Sequence, residues 1–299
     1  MRYEFTVGRS CRVKTFLKEH DISKGLLAKI KFEGGHIWVN GEEQFATYPV
    51  HEGDVVAIEI PDEAPHETLK PIPFDLDIVY EDDDIIVINK PKGMVVHPAP
   101  GHTSGTLVNA LMYHCKDSLS SINGVLRPGI VHRIDMDTTG LLVACKSDQA
   151  HRVLSDKFKV HDIHRVYTAI VYNQFATDEG TINKPIARHK TDRKKMAIDP
   201  NGRHAVTHYR VIERLKQNFS LVECELETGR THQIRVHMAS INHPLLGDEV
   251  YGPKQKPFST QGQVLHAGVL GFDHPITGEY MEWHADLPDY FQGILKRLR

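Results

Sequence analysis

The order of the predicted elements constrains the fold of this 299-residue chain more than any other feature. Strand-like runs at 166–172, 205–213 and 220–226 follow one another with no helical pattern between them, and the runs 78–80 and 85–89 flank a short acidic turn. Parallel strands need a helical crossover between them, whereas antiparallel strands do not. The pattern therefore predicts an α+β fold with a mixed, largely antiparallel sheet rather than a doubly wound one.

A small α+β domain is predicted ahead of this sheet. Helical patterns at 13–19 and 23–31 precede strand-like runs at 36–40 and 54–60, and a Pro-containing acidic stretch follows as a linker. The expected organisation is a first domain at 1–63, a linker at 64–75 and a second domain at 76–299.

Charge is distributed unevenly along the chain, although the formal net charge is only −3. That sum argues mildly against a nucleic-acid partner, because phosphate binders usually have a basic surface. Residues 1–31, however, hold eight Lys/Arg against three Asp/Glu, and residues 184–203 hold seven against two. Such segments either form a basic face on a protein of neutral sum or are ordinary solvated surface.

Sequence signals for metals, cofactors, disulfides and membranes are absent. The four cysteines are widely spaced with no C-x-x-C pair, and no H-E-x-x-H, G-x-G-x-x-G or Walker A pattern occurs. No apolar run reaches the roughly 18 residues of a membrane helix, and the N-terminus lacks the apolar stretch of a signal peptide. We expect a cytoplasmic protein with no cofactor, no metal and no membrane contact.

A polar loop between two apolar runs carries the first candidate site. Strands are predicted at 129–132 and 141–145, and Asp135 lies in the loop between them. A carboxylate held by rigid flanks can serve as a nucleophile or a base. The alternatives are a turn whose Asp and Thr side chains bond to their own backbone, and a metal site built on Asp135 and Asp137.

Two further segments hold candidate side chains. Arg230 and Arg235, in T-G-R-T-H-Q-I-R, could hold phosphates or pair with a carboxylate at the start of a predicted helix, or they could simply face solvent. His232 and His237 lack the i, i+4 spacing of a helical metal pair. Tyr167 lies in the strand-like segment H-R-V-Y-T-A-I, where a tyrosine is ordinarily a core or cross-strand partner.

Together these three segments resemble the RluA-like family of pseudouridine synthases. Residues 132–141 match the family's H-R-[LI]-D-x-x-T-[ST]-G-L signature, residues 165–169 its tyrosine motif, and residues 229–235 its G-R-x-H-Q-[IL]-R motif. The segments 89–93 and 243–248 match as well, and the resemblance covers most of the chain after residue 75. It implies the pseudouridine synthase catalytic fold.

The resemblance also implies a reaction and the residues that carry it out. A pseudouridine synthase breaks the bond between ribose and a uracil nitrogen, turns the uracil and rejoins it through carbon, without a cofactor. By this resemblance Asp135 is the nucleophile or base, Arg235 is its ion-pair partner, and Tyr167 stacks on the uracil and takes part in proton transfer. The expected substrate-binding residues are Ile234 against the other side of the base, Arg133 in the gap left in the RNA, His132 as support for the loop, and Arg230.

The N-terminal part resembles the S-four-like RNA-binding module, because a basic helix pair precedes the segment I-W-V-N-G. The candidate RNA contacts of this module and of the segment 184–203 are Arg12, Lys14, Lys24, Lys29, Arg188, Lys190, Arg193, Lys194 and Lys195. The expected partner of a monomeric protein is structured RNA recognised by its shape, with large-subunit ribosomal RNA preferred and transfer RNA second. The alternative is a noncatalytic RNA-binding protein of the same fold.

Overall fold

The structure, a computed structural model, divides into two compact units, Met1–Thr68 and Leu69–Arg299. The described residues are 2–20, 22, 27, 30, 35–59, 69–99, 101–116, 118–122, 127–192, 194–254 and 257–299. The predicted RNA contacts Lys24, Lys29 and Arg193 lie outside them, as do most residues of the helix predicted at 23–31. Within the described part, no helix is long and apolar enough to cross a bilayer.

The smaller unit is an antiparallel sheet covered by a helix. Its elements are β1 (Arg2–Thr6), β2 (Cys11–Arg12), α1 (Val13–Glu19), β3 (His36–Val39), β4 (Glu42–Glu43), β5 (Pro49–Val50) and β6 (Val55–Glu59), with sheet order β1-β6-β3-β4 and a separate β2–β5 pair. Helix α1 buries Phe16 and Leu17 against Ile37, Val56 and Ile58 of the sheet. Alternating apolar positions on β3 and β6 therefore give this unit a core of its own.

The larger unit is built on a nine-stranded sheet. Its strands are β7 (Ile78–Glu81), β8 (Ile85–Lys90), β9 (Thr139–Cys145), β10 (His164–Tyr172), β11 (Glu179–Asn183), β14 (Val206–Leu215), β15 (Phe219–Leu226), β16 (Leu265–Asp273) and β17 (Tyr280–His284); a separate hairpin pairs β12 (Ile186–Arg188) with β13 (Met196–Ile198). The sheet order is β11-β14-β15-β10-β16-β9-β8-β7, with β17 paired to β16. Among the described strands the one parallel pairing joins β9 to β16, which confirms the predicted mixed, largely antiparallel sheet.

Helices cover both faces of this sheet. They are α2 (Leu107–Cys115), α3 (Asp148–Val160), α4 (Gln233–Ser240) and α5 (Asp289–Leu298). Ile86 and Leu142 pack in the cluster that contains α2 and α4, whereas Ile85 and Val143 pack in the cluster that contains α3. Because successive strand side chains point to opposite faces, burial of both faces requires the continuous apolar runs of β8 and β9.

The strand predicted at 129–132 is not formed. Gly129 has φ +70°, and only an isolated bridge joins Ile130 to Ala144. A Cβ on Gly129 would lie 2.6 Å from the Cys145 carbonyl oxygen. The apolar residues after Gly129 are therefore placed by this close approach to β9, and the chain continues as a loop up to Thr139.

Candidate active site

The loop that carries Asp135 is attached to the sheet on both sides of that residue. The Nε2 atom of His132 accepts a hydrogen bond from the Val143 N–H at 3.0 Å, and the His132 ring stacks on Phe158 with centroids 4.5 Å apart. Burial, and then the charge of Arg165, lower the pKa of His132 to about 3, so its imidazole is neutral. This geometry agrees with the predicted supporting role of His132.

Lys90 holds the other side of the loop. Its ammonium is fully buried and donates hydrogen bonds to the carbonyl oxygens of Pro91 at 2.7 Å, Met94 at 2.9 Å and Met136 at 3.0 Å. Burial lowers the pKa of Lys90 to about 7, against the opposing charges of nearby aspartates. No role is predicted for this lysine from the sequence, although it lies in the matching segment 89–93.

An arginine links Asp135 to a second, buried aspartate. Arg235, on α4, donates from Nη1 to Asp135 Oδ2 at 2.9 Å, from Nε to Asp248 Oδ2 at 2.7 Å and from Nη2 to Asp248 Oδ1 at 3.0 Å. Asp248 is 1% exposed and also accepts the N–H groups of Val250 and Tyr251. Burial acts to lower the pKa of Arg235, but the hydrogen bonds and charges of the two aspartates raise it. The guanidinium is therefore charged and fixed in orientation.

Tyr167 and Ile234 lie beside this pair. They are 8% and 4% exposed, and both line a cavity of about 60 Å³ together with Asp135 and Arg235. Burial raises the pKa of Tyr167, so its phenol is protonated at neutral pH. Tyr167 packs in the core as an ordinary strand tyrosine would, yet its ring also forms part of the cavity wall.

Two wider cavities, of about 310 and 580 Å³, share Asp135 in their walls with this narrow one. Arg133 is exposed and lines all three. Arg230 lines the 60 Å³ cavity and the 580 Å³ cavity, and its Nε donates to the His204 carbonyl oxygen at 2.9 Å. The structure thus brings the predicted catalytic and substrate-binding side chains to one cleft.

His232 is a site residue that the sequence did not identify. Its backbone is left-handed, with φ 55°, and its Nε2 lies 3.9 Å from Asp135 Oδ1. Its Nδ1 is 2.9 Å from the Tyr251 hydroxyl, and the Tyr251 ring centroid is 5.2 Å from the Arg235 guanidinium carbon. From the sequence, His232 was considered only as a metal ligand. Its approach to Asp135 depends on a left-handed backbone angle, which no periodic pattern of residues predicts.

Asp137, the second residue of the alternative metal site, is half-buried beside two lysines. Its Oδ1 is buried without a hydrogen-bond partner among the described residues, and burial raises its pKa against the opposing charges of Lys92 and Lys90. The one group of three metal-binding atom types found in the described part of the chain is Glu81, His114 and Cys115, which includes neither Asp135 nor Asp137.

The predicted RNA-contacting residues that the structure describes belong to both units. In the smaller unit Arg12 and Lys14 are exposed. In the larger unit the hairpin β12–β13 and its loop carry the described RNA-contact candidates of the segment 184–203. Arg188, Lys190 and Lys194 are exposed, and Lys195 is half-buried. Their contact with RNA stays a prediction.

Comparison with known proteins assigns the family. The model of the RNA pseudouridylate synthase family matches residues 84–240. An uncharacterized RNA pseudouridine synthase of Bacillus subtilis, YlyB, is 54% identical over 265 residues, which cover 89% of this chain and 86% of the relative. The ribosomal large subunit pseudouridine synthase D of Zymomonas mobilis is 51% identical over 255 residues, which cover 82% of this chain and 79% of the relative.

A solved structure agrees with this assignment. The human RNA pseudouridylate synthase domain containing 1 superposes with a TM-score of 0.61 at 26% identity, over 74% of this chain and 86% of the human one. The chain therefore belongs to the RNA pseudouridylate synthase family, as an RluA-like member, and is an RNA pseudouridine synthase, an isomerase.

Proposed function

We propose that this enzyme converts specific uridines of large-subunit ribosomal RNA to pseudouridine, with Asp135 as the nucleophile or base that starts the reaction. The observation that carries the proposal is the ion pair of Asp135 and Arg235 in the wall of a cavity shared with Tyr167. A carboxylate acts as a nucleophile or base in its ionised form, and Arg235 holds Asp135 in an ion pair at 2.9 Å.

The proposed reaction is an isomerisation, so it requires proton transfers at the uracil but no cofactor. The bond between ribose C1′ and uracil N1 breaks, the uracil turns, and a bond between C1′ and C5 forms while the C5 proton is transferred and N1 takes up a proton. Tyr167, whose buried phenol is protonated, is proposed to stack on the uracil and to participate in the proton transfer. Stacking on an aromatic ring stabilises a bound base by about 1–3 kcal/mol.

The target base must leave its helix or loop to reach Asp135. Extrusion costs a few kcal/mol, which contacts to the RNA backbone offset. Arg133 is exposed at the cleft and is proposed to fill the space that the base leaves. Ile234 is proposed to pack against the base opposite Tyr167.

The choice of ribosomal RNA is supported by the names of relatives. The enzymes of Zymomonas mobilis and Haemophilus influenzae, 51% and 48% identical to this chain, are called ribosomal large subunit pseudouridine synthase D. The basic exposed residues of the smaller unit fit an S-four-like RNA-binding module, which is proposed to add contacts to the same RNA.

Mapping of pseudouridine in total RNA tests this proposal. Cells with and without the gene are compared, and the deletion is complemented with the wild-type gene or with Asp135→Asn. We expect sites in large-subunit ribosomal RNA that disappear on deletion and return only with the wild-type gene. If the deletion removes pseudouridines from transfer RNA alone, transfer RNA is the substrate and the proposal of ribosomal RNA is wrong. If the pseudouridine map is the same with and without the gene, the proposed function is contradicted.

A further inference from the structure

Arg165 is a buried cation without a partner for two of its donors. Its side chain lies on β10 and is 6% exposed. Its Nε and Nη2 atoms are buried and make no hydrogen bond to any described part of the chain. Its nearest aromatic contact is Phe158, whose ring centroid is 5.7 Å from the guanidinium carbon. Buried guanidinium groups are normally paired or fully hydrogen-bonded, so the two unpartnered donors of Arg165 depart from the usual pattern.

The orientation of Arg165 follows from its position on the strand. Arg165 and Tyr167 are two residues apart on β10, so their side chains leave the same face of the sheet. Both line the 580 Å³ cavity, whose wall also contains Asp135. Arg165 therefore lies in the wall of the space next to the proposed uracil pocket.

The wall of this cavity is strongly basic. Its charged residues among those described are Arg127, Arg133, Lys159, Arg165, Arg230 and Asp135. The one carboxylate of this set is already bonded to Arg235 at 2.9 Å. Lys159 pairs with Asp156 at 2.6 Å, whereas Arg165 and Arg230 have no ion-pair partner among the described residues, so an anion from solution would compensate their charge.

Two neutral histidines add unpartnered polar atoms to the same wall. The Nδ1 atoms of His97 and His161 are buried and make no hydrogen bond to the described residues. Burial, and then nearby arginines, lower the pKa of His97 to about 4 and also lower the pKa of His161. Each imidazole is therefore neutral and adds no further positive charge to the wall.

Gly229 leaves room for the guanidinium. A Cβ at this position would lie 2.7 Å from Arg165 Nη1, although the backbone of Gly229 is outside the left-handed region. The glycine is thus explained by the close approach of Arg165, and a side chain there would displace the cation. Gly229 of the G-R-x-H-Q-[IL]-R motif and Arg165 of β10 are therefore in direct contact.

We propose, on the basis of the proposed function, that Arg165 and Arg230 bind a backbone phosphate of the RNA next to the extruded uridine. Arg165 lines the cavity, and its guanidinium is proposed to donate to the phosphodiester oxygens from the part that meets this space. The apo enzyme holds this charge without compensation, and the bound RNA supplies the compensating anion.

Replacement of Arg165 by Met separates this role from a structural one. The full-length variant keeps the volume of the side chain but removes the charge. We expect its melting temperature without RNA to rise, since an uncompensated buried charge is gone. We expect its Kd for transcribed large-subunit ribosomal RNA to increase about 10–100-fold, and the slope of log K against log salt to fall by about 0.7–0.9, the contribution of one phosphate.

The controls identify the group that is recognised. Arg210→Met changes an exposed arginine on β14 that pairs with Glu223, and should leave RNA affinity and salt slope unchanged. Arg165→Lys should restore part of the affinity. Inorganic phosphate at millimolar concentration should raise the melting temperature of the wild-type enzyme more than that of Arg165→Met.

Two outcomes would overturn the inference. A lower melting temperature of Arg165→Met with an unchanged salt slope would make Arg165 a packing residue. A phosphate-dependent shift without any change in RNA affinity would show a site for free anions only. If the wild-type enzyme binds phosphate through Arg165 but isomerises no RNA, the anion site stands and the proposed function fails.

Discussion

Asp248 binds Nε and Nη2 of Arg235 and thereby leaves Nη1 to point at Asp135. The two bonds to Asp248 are 2.7 and 3.0 Å long, and the bond to Asp135 is 2.9 Å long. A two-bond contact fixes the plane of a guanidinium, whereas one bond leaves it free to rotate. Asp248 therefore sets the position from which Arg235 stabilises the proposed catalytic carboxylate.

Asp248→Asn should impair catalysis more than RNA binding. The amide can accept from Arg235 with one atom only, so the guanidinium loses its fixed plane. We expect kcat to fall about 10–100-fold, the Kd for RNA to stay within about twofold, and the free energy of unfolding to drop by about 3–5 kcal/mol, as when a buried ion pair loses one partner.

The control is Asp178→Asn, which breaks an exposed pair with Arg214 and should lower the free energy of unfolding by less than about 1 kcal/mol. Equal losses in both variants would refute this role.

Tyr167→Phe should separate stacking from proton transfer. The ring remains, so RNA binding should change less than about twofold, while loss of the hydroxyl should lower the single-turnover rate about 10²–10⁴-fold. Titration of RNA by fluorescence anisotropy and a rate measurement at saturating enzyme give the two quantities. A variant that turns over at the wild-type rate would leave Tyr167 with a packing role alone.

Lys90 should make stability depend on pH in the alkaline range. Its pKa is about 7 in the folded protein and about 10.5 in the unfolded chain. Between these values the unfolded state binds the extra proton, so stability rises as pH increases. Relative to Lys90→Met, the wild-type free energy of unfolding should increase by about 1 kcal/mol per pH unit between pH 7.5 and 9.5. Urea denaturation of both proteins checks this, and parallel curves would disprove the depressed pKa.

Gly140 should tolerate no side chain. It lies on β9 with φ +108°, and a Cβ would be 2.2 Å from the Ala267 carbonyl oxygen of β16, across the parallel pairing. Gly140→Ala should therefore destabilise the enzyme by more than about 3 kcal/mol or prevent its folding. Gly293→Ala is the matched control, because no atom lies within 4 Å of its Cβ position on helix α5, and it should stabilise by about 0.5–1 kcal/mol.

The sequence predicts those parts of the structure that depend on local patterns. The largely antiparallel sheet and the family follow from strand order and from motifs around Asp135 and Arg235. The strand at 129–132 was predicted wrongly because its apolar residues are placed by the positive φ of Gly129 and not by strand pairing. The contact between Arg235 and Asp248 could not be predicted, since it depends on how helix α4 and the loop that follows it meet in space.

The short hairpin of β12 and β13 was also not predicted. Its strands have three residues each, too few for a period-two pattern to stand out from the surrounding basic segment. The hairpin is held by a tertiary contact, in which the Met196 N–H donates to the Tyr251 hydroxyl at 2.8 Å. Such a contact appears only after the chain has folded.

The single-turnover rate of Asp135→Asn on unmodified ribosomal RNA tests the central claim most directly. The variant keeps the size of the side chain and is compared with the wild-type enzyme and with Asp75→Asn, an exposed aspartate of the same unit. We predict that Asp135→Asn binds the RNA, unfolds at a temperature close to that of the wild type and forms no detectable pseudouridine, while Asp75→Asn is fully active. Pseudouridine formation by Asp135→Asn at a rate near that of the wild type would contradict the account.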